Sequence, residues 1–66
     1  MWRARGIFNE LGAGGLRLCA ECDRANADMR YWNGDVDFAL VLIDRALACE
    51  ELLRRVERGE VTRERQ

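Results

Sequence analysis

The chain has 66 residues, 48% of them hydrophobic and 35% charged, with a formal net charge of −1. A single small domain of this size buries only about 60% of the surface its unfolded chain exposes, so its core needs a staple or a partner. Near-neutral charge argues against a general electrostatic hold on nucleic acid, no apolar run reaches the ~20 residues of a membrane span, and the glycines from Gly12 to Gly15 interrupt any signal-peptide core, so a cytoplasmic protein is expected.

Met1–Leu11 carries Trp2, Ile7, Phe8 and Leu11 at loose helical spacing. A short helix or an arm is expected, either capping the core or docking on another chain. Gly12-Ala13-Gly14-Gly15 is the joint, because each glycine costs a helix about 0.8–1 kcal/mol relative to alanine. It does not read as a phosphate loop: no strand precedes it, and no Lys-Ser/Thr follows it.

Leu16–Trp32 reads as the first long helix. Leu18, Cys22, Ala25, Met29 and Trp32 step by four, three, four and three, a heptad-like seam expected to face the next helix. Arg17, Glu21, Arg24 and Asp28 are expected on the opposite side. Asn33-Gly34 has two readings. It is a strong signal for a two-residue β-turn, but the helical period stops at Trp32 and resumes at Val36. Gly34 then closes one helix at C′ and Asp35 caps the next, which favours a helix–turn–helix.

Val36–Arg58 is the strongest helical signal. Ala39, Leu42, Ala46, Cys49, Leu53 and Val56 form one stripe, and Val36, Leu40, Ile43 and Leu47 form a second beside it. Phe38 and Leu52 widen the first. Asp35 and Asp37 at the start and Arg54, Arg55 and Arg58 at the end suit the helix dipole, Glu50–Arg54 and Glu51–Arg55 are spaced for i,i+4 pairs, and Gly59 is placed to end the helix at C′. An apolar arc this broad calls for two neighbours. The tail, residues 60–66, is expected to be disordered, leaving residues 1–59 as the domain.

Cys19, Cys22 and Cys49 are the three cysteines. A turn centred on Gly34 sets residue 19 level with 49 and residue 22 near 46, so all three are expected in one interhelical layer. Ordinary core is the leading reading, since free cysteine is often buried. A disulfide is disfavoured in a reducing compartment. Zinc would need a fourth ligand from Asp23, Glu50 or a second chain, and no histidine exists to supply one. No cofactor is expected.

The expected fold is all-α: a helix–turn–helix hairpin, with helices over 16–32 and 36–58, a short N-terminal helix or arm, and two hairpins paired into a four-helix bundle. A monomer with the arm folded over Val36–Leu47 is the alternative. Phe38, Leu40, Leu42, Ile43, Leu47 and Leu53 are the expected core or dimer face. There is no serine, lysine or histidine and only one threonine, Thr62, so the usual nucleophile–base pairs cannot be assembled and no enzyme is expected. The leading functional reading is a non-enzymatic protein–protein interaction module, an inhibitor or adaptor. Trp2, Phe8, Arg30, Tyr31 and Trp32 are its candidate contact residues, being of types mostly enriched in binding hot spots. All eleven basic residues are arginine, a bias that points to a GC-rich bacterial or phage genome. The alternatives are a small nucleic-acid-binding regulator, although interleaved acids make its basic stripes ordinary solvated faces, and a zinc or redox module on the three cysteines.

Overall fold

Asn33-Gly34-Asp35 closes one helix and opens the next within three residues. Gly34 sits at φ 88°, its N–H donates to the Tyr31 carbonyl, and the Asp35 N–H donates back to the Arg30 carbonyl. This pair of bonds satisfies carbonyls that a helix end would leave bare. Asp35 then accepts from the Phe38 N–H through Oδ1 at 3.4 Å, an N-cap on the following helix. The turn therefore joins two helices and is not a β-hairpin turn. The computed structural model describes residues 2–63, which form α1 (Ala4–Trp32) and α2 (Val36–Glu57), packed against each other as a hairpin. The C-terminal end of α2 repeats the closing device: Gly59 at φ 77° donates to Val56, and Glu60 donates to Arg55.

The first helix begins earlier than its sequence period indicates. Ala4–Trp32 is helical apart from a break at Gly12, where φ is 75° and ψ −166°. The joint is thus one residue, and Gly14 and Gly15 are helical. Gly15 serves a different purpose: a Cβ there would fall 2.3 Å from the Leu11 Cβ, so glycine is what lets the broken helix fold Leu11 over it.

Small side chains set the helix–helix contact. Leu16, Ala20, Asp23 and Ala27 of α1 are buried against Ala39, Leu42, Ala46 and Cys49 of α2. Four of the eight are alanine, which allows the two backbones to lie close. Phe8 joins the core, and Trp2, Ala4, Ile7, Leu52, Leu53, Val56 and Val61 pack around it. The N-terminal segment therefore covers the second half of α2, with Trp2 reaching back to Arg45, and leaves Val36, Leu40 and Leu47 exposed. The start of the tail is also held. Arg63 donates through Nε to the Asn9 carbonyl at 3.0 Å and through Nη2 to the Glu10 carbonyl at 2.6 Å, just before the break at Gly12. Of the tail expected over residues 60–66, residues 64–66 lie outside the described residues.

Candidate interaction surfaces

The seam expected between the helices faces outward. Leu18, Met29 and Trp32 are 60, 61 and 82% exposed, and Cys22 and Ala25 are exposed with them. The face that meets α2 is Leu16, Ala20, Asp23 and Ala27, rotated from the expected one by two residues, which is about 200° on a helix. The chain thus places its less hydrophobic α1 stripe inside and carries a heptad-spaced apolar stripe on its outer side.

On α2 the two stripes divide as their spacing predicts. Ala39, Leu42, Ala46 and Cys49 are buried, and Leu53 and Val56 pack against the core. Of the second stripe, Val36, Leu40 and Leu47 are exposed and Ile43 is half-buried. Its first turns line a shallow groove of about 200 Å³ with Ala27, Asp28, Tyr31 and Ala39. Phe38, on the opposite flank, lies under the Arg30 guanidinium at 4.9 Å from the ring centre. Of the expected core or dimer face, Leu42 is buried, Ile43 and Leu53 are partly so, and Phe38, Leu40 and Leu47 are open.

The expected contact residues separate into two places. Phe8 is 4% exposed and belongs to the core, so it is not a surface contact in this structure. Trp2 packs beside it, with the Arg45 guanidinium 4.9 Å from its ring centre. Arg30, Tyr31 and Trp32 stand together at the turn, exposed, with the two rings edge to face at 6.0 Å. Trp32 is therefore neither core nor turn packing.

The three cysteines do not share a layer. Cys19 and Cys49 face each other inside, as the turn-centred count predicts, but Cys22 is on the outer face because it is a member of the outward stripe. Asp23 takes the inner position instead. The Cys19 thiol donates to Asp23 Oδ2 at 3.6 Å, and Arg45 Nε lies 3.4 Å from the same oxygen. Burial, the contact with Cys19 and the nearby Asp23 charge push the Cys49 thiol up to about 12, so it stays protonated and is a poor nucleophile at neutral pH. No group of three or more His, Cys, Asp or Glu side chains among the described residues is placed to hold a metal ion. Sequence reasoning missed the Asp23–Arg45 contact. Its signal was the 4-3-4 spacing of Leu16, Ala20, Asp23 and Ala27, which a hydrophobicity count discounts at the aspartate.

Six of the arginines that could have made basic stripes, Arg17, Arg24, Arg30, Arg54, Arg55 and Arg58, are turned onto acids. Arg24 grips Glu50 with two 2.7 Å hydrogen bonds across the hairpin, which holds the Glu50 carboxyl below its ordinary range. Glu50 thus pairs across the interface, and Arg54 takes Glu51 at 3.1 Å. Arg17 reaches Glu57, Arg30 reaches Asp35, and Arg55 and Arg58 both reach Glu60. Among the described residues no helix is long and apolar enough to cross a membrane. No family model, curated protein or solved structure matches the chain.

Proposed function

We propose that this chain is a non-enzymatic protein–protein interaction module, a small helical regulator or inhibitor that works by covering a surface of another protein and is itself a dimer of hairpins. The carrying observation is the number of large apolar side chains left open on a well-capped hairpin: Leu18, Met29, Trp32, Val36, Leu40 and Leu47 among them. Contiguous exposed apolar surface marks contact sites in folded proteins, and a two-helix hairpin has no third layer with which to cover it.

Two open faces allow two occupants. One is a second hairpin, giving four helices in all. The other is a protein engaged through Tyr31 and the α2 stripe, with Arg30 at the rim, a composition typical of interface centres. The ion-paired arginines weigh against a phosphate backbone as the ligand. The proposed setting is the cytoplasm, and the arginine bias supports a bacterial or phage source.

Sedimentation equilibrium tests self-association, and a mass of one chain at micromolar concentration would end the dimer reading. Tyr31→Ala and Leu40→Asp test the contact face. Both should keep the helical circular dichroism of the parent and abolish growth or activity effects that the parent chain exerts when expressed in a bacterial host. If they unfold the chain instead, these side chains are structural and the contact reading fails.

A further inference from the structure

The outer face of α1 differs from the α2 stripe in one respect that identifies its occupant. It repeats strictly by sevens at two positions: Gly15, Cys22 and Met29 at one, Leu18, Ala25 and Trp32 at the other. That is the pattern by which a helix packs along another helix, knobs into holes. We infer that this face is a self-complementary seam, occupied by the same face of a second copy running antiparallel. The inference rests on the reading of the chain as an interaction module and assigns one of its two faces.

Side-chain size selects the partner and its direction. In an antiparallel pair, each member of one position meets a member of the other. In the register centred between Asp23 and Arg24, Leu18 falls against Met29 of the second copy and Cys22 against Ala25, while Trp32 lies beside the Leu11 side chain that covers Gly15. The two medium side chains meet each other, and the short central pair lets the backbones close. A parallel pair would stack Trp32 on Trp32, crowding that layer, which close packing disfavours.

Residues 15–32 supply a contact about 27 Å long. The flanks are asymmetric: Asn26 on one side is neutral, whereas Glu21 and Asp28 on the other bring acids near acids. Exposed like charges at a rim cost little and are screened by salt, so this dimer tightens when salt is added. The seam lies on the side of α1 away from α2, so the α2 stripe stays open in the pair.

The test uses the full chain. Sedimentation of the parent should give twice the 7.6 kDa chain mass, and Leu18→Asp should return it to one chain mass with unchanged helical circular dichroism. Leu40→Asp should leave the dimer intact. Oxidation of the Ala25→Cys variant should join two chains covalently, read as twice the chain mass under denaturing, non-reducing conditions with peptide mapping placing the bond between residues 22 and 25, a result independent of whether Leu18→Asp folds. A parent that sediments as one chain overturns the inference and the dimer reading together. A dimer broken by Leu40→Asp and indifferent to Leu18→Asp overturns the seam alone. Linkage of Cys22 to Cys22 in the oxidised parent overturns the antiparallel register.

Discussion

Gly12 holds φ 75° and ψ −166°, a region that side-chain-bearing residues essentially never adopt. Gly12→Ala should therefore cost about 1–3 kcal/mol, seen as a lower urea midpoint with an unchanged slope. Arg63 binds the Asn9 and Glu10 carbonyls just before this break. Cys49 gives a second expectation, in pH. Its folded pKa is raised to about 12 from an ordinary value of 9.0, chiefly by burial. Below the ordinary value both states hold the proton and nothing is lost. Above it the unfolded chain releases the proton first, so stability falls as pH rises toward the folded value, by at most about 1.4 kcal/mol per pH unit. Urea titrations at pH 8 and pH 10 should show this fall in the parent, and Cys49→Ala should flatten it. An equal fall in both proteins would place the alkaline sensitivity elsewhere.

At the scale of elements, α2 was legible in the sequence and α1 only partly. Asp35, Gly34 and Gly59 announced their caps through residue chemistry that acts locally, and each cap is present. Asp35→Ala should cost about 1 kcal/mol by removing an acceptor at the start of α2, measurable as a fall in melting temperature of several degrees. The face of α1 was misread because hydrophobic ranking and interhelical fit pointed in opposite directions. Leu18, Met29 and Trp32 are the larger hydrophobes, yet close approach to Ala39, Ala46 and Cys49 favours Ala20 and Ala27. Asp23 finds its partners in Cys19 and Arg45 only once the fold exists. The long-range contacts of Phe8 and Arg63 were equally invisible, since nothing local states that a residue will meet another some fifty positions away. Leu16→Ala distinguishes the inner face directly. Leu16 has no exposed surface, and its truncation should cost about 2–5 kcal/mol, whereas Leu18→Ala should leave the packing of α1 on α2 intact.

For the whole molecule, the question is what stabilises a two-helix hairpin with so little interior. Four of the eight buried hydrophobic residues among those described are alanines, which contribute little apolar area each, while Leu18, Met29 and Trp32 are outside. Single hairpins of this size rarely reach ordinary stability from one interhelical face. If part of the stability comes from pairing, it must depend on concentration, because anything that binds only the folded state shifts unfolding by mass action. For a dimer that dissociates as it unfolds, each tenfold rise in protein adds RT ln 10, about 1.4 kcal/mol, to the free energy per dimer. Divided by an unfolding entropy of about 2.1 cal/mol/K per residue over two chains, this raises the melting temperature by roughly 5 °C. A monomer gives no shift at all. Thermal melts across two decades of concentration therefore separate the cases without any mutation, and Leu18→Asp should abolish the shift if the outer face of α1 carries the pairing. A melting temperature that is high and independent of concentration would mean that the alanine-rich interface, the Phe8 cap and the Arg63 clamp hold the fold unaided. The open faces would then be free for other proteins alone.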